Sequence, residues 1–185
     1  GALLNHGTKN VDGTWTLSAG DLAGLTVTPA ADSDADFSLT VKAISTENDG
    51  GSTATTLGTI DVTVDAVADA PTLTVTNAAG NEDSAIALNI ASALTDTDGS
   101  ESLSINIAGV PDGALLNHGT KNVDGTWTLS AGDLAGLTVT PAADSDADFS
   151  LTVKAISTET DGGSTATVIG TMDVRVDAVA DAPTL

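Results

Sequence analysis

Apolar and polar side chains alternate one for one along several short stretches of the chain. Leu73/Val75, Ile105/Ile107, Leu137/Val139 and Leu151/Val153/Ala155 each fall on one side of such a stretch. A period of two is the pattern of a β-strand with one buried face. Strands are expected near residues 72–76, 85–90, 102–107, 126–129, 136–140, 149–155 and 165–176, with Gly, Asp and Asn turns between them. No stretch sustains a helical period, so helix content is expected to be very low. Seven strands in about 110 residues predict an all-β fold, an antiparallel sandwich of immunoglobulin type with about seven strands per repeat.

The pattern occurs twice. Gly1-Ala2-Leu3-Leu4-Asn5-His6-Gly7 returns as Gly113-Ala114-Leu115-Leu116-Asn117-His118-Gly119, and residues 1–73 align without a gap on 113–185. Only Asn48/Thr160, Thr56/Val168, Leu57/Ile169, Ile60/Met172 and Thr63/Arg175 differ. The repeat is as long as a whole domain, so each copy should carry its own core. The segment Val64-Asp65-Ala66-Val67-Ala68-Asp69-Ala70-Pro71, repeated as 176–183, reads as the linker, with Pro71 marking entry to a new domain. Residues 70–185 then hold a complete repeat and the following linker, and residues 1–69 the C-terminal part of another. The latter lack counterparts of residues 72–112. Leu39, Val41 and Ile44 are therefore expected to be covered by a further segment, or by another molecule through strand complementation.

Composition narrows the function. Twenty-six acidic residues face five basic ones, a formal net charge of −21. That excludes a nucleic-acid partner, which needs clustered Lys and Arg, and disfavours direct contact with an acidic membrane surface. Aromatics are only 2%, so the core must be aliphatic, with Trp15, Trp127, Phe37 and Phe149 as its few large anchors. There is no cysteine, hence no disulfide staple. His6 and His118 occupy one repeated turn and no nucleophile motif accompanies them, which argues against an enzyme.

The acids are unevenly placed. Strand alternation puts Asn81-Glu82-Asp83 and Asp144-Ser145-Asp146-Ala147-Asp148 at one end of the sandwich. Asp96-Thr97-Asp98-Gly99-Ser100-Glu101 and Glu159-Thr160-Asp161-Gly162 fall at the other. Each end lies beside a linker. Like charges so crowded cost on the order of 1 kcal/mol per pair even in water, which a hard divalent cation would relieve. Ca²⁺ takes six to eight oxygens and suits short-spaced carboxylates; Mg²⁺ prefers more water, and zinc wants Cys or His. The candidate ligands are Asp34, Asp36, Asp65, Asp69, Asp96, Asp98, Glu101, Glu82, Asp83, Asp146, Asp148, Asp177 and Asp181. At the junction, Asp34, Asp36, Asp65, Asp69, Asp96 and Asp98 are expected to hold an ion between neighbouring repeats. Asp12-Gly13, Asp112-Gly113 and Asp124-Gly125 read instead as ordinary turns.

Four motifs in this order carry a resemblance. Asn81-Glu82-Asp83-Ser84, Leu94-Thr95-Asp96-Thr97-Asp98-Gly99-Ser100-Glu101, Asp144-Ser145-Asp146-Ala147-Asp148 and Val176-Asp177-Ala178-Val179-Ala180-Asp181-Ala182-Pro183 resemble the extender repeats of bacterial RTX adhesins. The family includes large biofilm adhesins and a marine ice-binding adhesin. The resemblance implies Ig-like or cadherin-like tandem repeats, an extracellular place on the bacterial cell surface, and neighbouring repeats of the same chain as partners. It further implies a structural role in cell adhesion: Ca²⁺ at the linkers stiffens the array and projects a terminal ligand-binding region. The RTX nonapeptide itself is absent. The alternative is a β-sandwich module that binds glycan or ice directly, for which Thr26-Val27-Thr28, Thr74-Val75-Thr76 and Thr138-Val139-Thr140 are the candidate surfaces, although Thr-x-Thr is ordinary strand composition.

Overall fold

In the first repeat segment the alternation yields strands but few covered faces. The computed structural model describes residues 1–182, and the chain divides into two units, Gly1–Ala66 and Val67–Leu185. The first unit contains β1 (Leu3–Leu4), β2 (Thr8–Lys9), β3 (Trp15–Thr16), β4 (Val27–Thr28), β5 (Phe37–Thr46) and β6 (Thr53–Val62). They pair antiparallel as β1–β4, β2–β3 and β5–β6, with no further strand on either edge of the long β5–β6 hairpin among the described residues. No side chain of this unit is fully buried.

The second unit closes. It comprises β7 (Thr72–Thr76), β8 (Ala78–Asn81), β9 (Ile86–Ala87), β10 (Asn89–Ala93), β11 (Glu101–Ala108), β12 (Leu115–Leu116), β13 (Thr120–Lys121), β14 (Trp127–Ser130), β15 (Thr138–Thr140), β16 (Phe149–Glu159) and β17 (Thr165–Asp177). A six-stranded sheet runs β13-β14-β11-β16-β17-β8; β12-β15-β9 and β10-β7 form the facing strands. The fold is thus an all-β sandwich, with short 3-10 turns at Ala19–Leu22 and Ala131–Leu134 as the helical segments of the described residues.

Between the layers lie Ile86, Leu88, Ile90, Ile105, Ile107, Leu116, Trp127, Leu129, Leu137, Val139, Leu151, Val153, Met172, Val174 and Val176. The inward partners in the alternation are the buried ones: Ile105, Ile107, Val139, Leu151, Val153 and Ala155 are at most 0% exposed. Burying each large aliphatic side chain contributes about 1.5–3 kcal/mol. Trp127 is buried in this core while Trp15 is half-buried.

Three features depart from the simple seven-strand expectation. The run at 85–90 changes partners at Leu88, since β9 pairs with β15 and β10 with β7. Two-residue strands β12 and β13 join the sheets. And β8 runs parallel to β17, from Ala78 opposite Val174 to Asn81 opposite Asp177. All other pairings among the described residues are antiparallel. The Asp-Gly turns are confirmed by left-handed glycines, with φ of 87° at Gly13, 84° at Gly113 and 85° at Gly125.

Candidate functional site

Two carboxylate-rich ends bracket the second unit, and each is built on backbone that the sandwich fixes. At the entry end, the β11–β16 register places Glu101 directly opposite Glu159. Their exposures are 9% and 4%, and that of Asp96, in the loop before β11, is 7%. Burial of acids is uncommon, and like charges opposed across strands are destabilising. Glu101 Oε1 accepts the Asp69 backbone N–H at 2.6 Å. Its other oxygen, Oε2, is buried with no hydrogen-bond partner. An orphaned buried oxygen of this kind is where a structure calls for water or an ion.

The incoming linker is held at the same end. Ser157, fully buried, donates its hydroxyl to the Asp69 carbonyl at 2.5 Å, and Ser164 Oγ accepts from Ala68 N–H at 3.2 Å. The loop is ordered by its own acids: Asp96 Oδ1 accepts from Asp98 N–H and Asp98 Oδ1 from Ser100 N–H, both at 2.8 Å. Hydrogen bonds from the Ser100 side chain, then its backbone, hold the Asp98 carboxyl below the usual carboxylate range.

At the exit end, Asp83, Asp144 and Asp181 bring one carboxylate oxygen each within 4.8 Å of the others. No other set of three metal-ligating side chains meets that spacing among the described residues. Asp83 Oδ1 accepts the Asp144 N–H at 3.0 Å. Both residues have left-handed backbones, φ 52° and 55°, as does Asp32, the repeat counterpart of Asp144, at 57°. Glu82, only 8% exposed, accepts the Val179 N–H at 2.6 Å and so anchors the outgoing linker.

The candidate ligands thus sort by what their oxygens already do. Asp83 and Asp181 converge, joined by Asp144. Asp148 Oδ1 is engaged by Val176 N–H at 2.8 Å, repeated in the first unit as Asp36 accepting from Val64 N–H at 2.8 Å. Asp177 pairs with Arg175 at 3.0 Å. Asp146 is exposed, outside the triad. In the first unit Asp34 is half-buried and Asp65 exposed. At the entry end Asp69, Asp96, Asp98 and Glu101 share one region without a three-oxygen cluster of the triad's spacing. Glu159 and Asp144 are absent from the sequence-derived ligand set. Strand order already placed Glu159 at this end, but only the β11–β16 register sets it opposite Glu101, whereas Asp144 stands first in an Asp-x-Asp-x-Asp run. Pro183, the end of the second linker, lies outside the described residues.

The donor set is all oxygen, hard and anionic, which fits Ca²⁺ better than a nitrogen- or sulfur-seeking metal. Comparison with protein-family models, with curated proteins and with solved structures finds no match.

Proposed function

We propose that this chain is a structural spacer: tandem extender repeats of a bacterial surface adhesin, resembling those of the RTX adhesins, stiffened by Ca²⁺ at the ends of each repeat. The observation that carries this reading is the buried, in-register pair Glu101 and Glu159, with Glu101 Oε2 lacking a partner, set where the linker enters. Two acids brought opposite each other at so buried a place, one of them with an oxygen left over, are stabilised by a divalent ion. In this reading Glu101, Asp96, Glu159 and Asp69 hold the ion at the entry end. Asp83, Asp144 and Asp181 hold another at the exit end.

The linker supports the same reading. Glu101 anchors it at Asp69, and Glu82 anchors the next linker at Val179. Val179 is the repeat counterpart of Val67, so the two anchoring points lie two residues apart on one repeated linker. Both linker segments are thus tied to the same sandwich, and a cation at the surrounding carboxylates would offset the repulsion among them. Near-identity of the copies suits a spacer, whose length matters more than the diversity of its units. An extracellular place follows from the same reading, since free Ca²⁺ is plentiful there.

Small-angle scattering of the chain with calcium and with EDTA tests the proposal. The maximum dimension should fall, or the interdomain profile broaden, on chelation, while the β-sheet circular dichroism of the second unit persists. An unchanged dimension would remove calcium as the stiffener.

A further inference from the structure

Beside the 3-10 turn of the second unit, the six-stranded sheet carries an open cleft of about 520 Å³. That volume lies within the range of about 300–1,000 Å³ found for small-molecule sites. Ile105 and Leu129 point into the core, so Ser104, Thr128 and Ser130, their neighbours in the alternation, point outward. The registers then gather four hydroxyls. Ser104 stands opposite Ser130 across β11–β14, and Thr120 opposite Thr128 across β13–β14. All four line the cleft, with Asp133 and the half-buried Leu103 beside them. Its walls are held together. His118 Nδ1 donates to the Asp133 carbonyl at 2.9 Å, tying the turn before Thr120 to the 3-10 turn. Asn122 Nδ2 donates to Thr128 Oγ1 at 3.0 Å, which leaves the Thr128 proton to be given outward. Ser130 Oγ donates to Asp133 Oδ2 at 2.7 Å, so Ser130 is left as an acceptor. The hydroxyls of Ser104 and Thr120, and Asp133 Oδ1, bond to nothing among the described residues.

We propose that this cleft is a binding site for a neutral saccharide, held by its hydroxyls. Sugar hydroxyls both donate and accept, and the cleft offers both. Thr128 donates, Ser130 and Asp133 Oδ1 accept, and Ser104 and Thr120 do either. The bond to the carboxylate oxygen is the strongest of the set. No lysine or arginine lines the cleft and the chain carries a net charge of −21, so an anionic ligand is repelled. No aromatic ring lines it either. Affinity therefore rests on hydrogen bonds rather than on stacking, and the dissociation constant falls at about 1 mM. Leu103 gives the C–H face of the sugar ring its apolar contact. None of these residues belongs to the carboxylate ends, so the site is independent of bound calcium.

The test is an amide-shift titration of the isotope-labelled full chain in EDTA. The probes are methyl α-D-glucopyranoside, methyl α-D-mannopyranoside and methyl β-D-galactopyranoside. At least one should give saturable shifts at residues 103–104, 119–120 and 128–133, with a midpoint of about 1 mM, while residues 165–171 stay still. Ser104→Ala combined with Thr120→Val removes two hydroxyls that hold nothing in the fold, and should weaken binding about tenfold or more. Thr152→Val, on the same outward face but outside the cleft, should leave binding unchanged. Should the double variant lose the fold, the two single substitutions are read in its place. No saturable shift with any of the three glycosides overturns the proposal. Binding that survives loss of both hydroxyls, or that falls equally with Thr152→Val, also overturns it. So do equal shifts from glycerol or from tetramethylammonium, which would mark a non-selective surface or a cation site.

Discussion

Glu101 and Glu159 face each other directly across the β11–β16 pair, and both are buried. Removing one charge while keeping the oxygen that accepts the Asp69 N–H separates repulsion from hydrogen bonding. Glu101→Gln should therefore raise stability in EDTA by about 0.2–1 kcal/mol, the scale of a like-charge cross-strand pair. In millimolar calcium the same variant should be less stable than the parent. Chemical denaturation in the two buffers checks the crossing of the two effects.

Ser157 ties the entering linker to the sheet through the Asp69 carbonyl. Ser157→Ala leaves that carbonyl without its donor in a fully buried place and should cost about 1–3 kcal/mol. Urea denaturation of the second unit measures it, and Ser45→Ala, whose serine is exposed, should cost far less.

Two glycines of similar φ should respond differently to alanine. At Gly109, φ 88°, an added Cβ would meet the Ser150 carbonyl oxygen at 2.5 Å; at Gly125, φ 85°, it would meet nothing within 4 Å. Gly125→Ala should cost about 1 kcal/mol from the left-handed backbone alone. Gly109→Ala must in addition push β11 away from β16 and should cost several times as much, read as a larger fall in melting temperature.

Acid should weaken the turn at 130–134 in a defined direction. The Ser130 N–H and hydroxyl both donate to Asp133 Oδ2 at 2.7 Å, which holds that carboxyl below its usual range. A carboxyl depressed in the folded state contributes stability that is full above its unfolded value, about 3.9, and is lost as the pH falls through the folded value. Asp133→Ala should thus melt below the parent at pH 6, and the gap should close as the pH drops under about 3.9.

Much of the architecture was legible because alternation and burial coincide. Ile105/Ile107 and Leu151/Val153 announced an inward face, and the linkers were marked by repetition alone. Strand β8 was not legible: Ala78-Ala79-Gly80-Asn81 has neither β-branched residues nor alternation, and its place depends on the parallel partner β17 and on Gly80, where a Cβ would meet Ile86 at 2.8 Å. The segregation of acids to the two ends could be deduced from strand order. Which acids converge could not. Asp144 joins Asp83 through a left-handed turn, Asp148 is diverted to the Val176 amide, and Asp177 is diverted to Arg175, one of the five positions at which the repeats differ. Those choices rest on register and local backbone, which no spacing of carboxylates encodes.

The central claim is that the carboxylate ends hold calcium, and calorimetric titration of Ca²⁺ into the metal-free chain tests it most directly. The account predicts saturable binding that Mg²⁺ matches only weakly, with part of it removed by Glu101→Gln and another part by Asp83→Asn together with Asp144→Asn. Absence of saturable binding at millimolar calcium, or binding that survives all three substitutions unchanged, would contradict it.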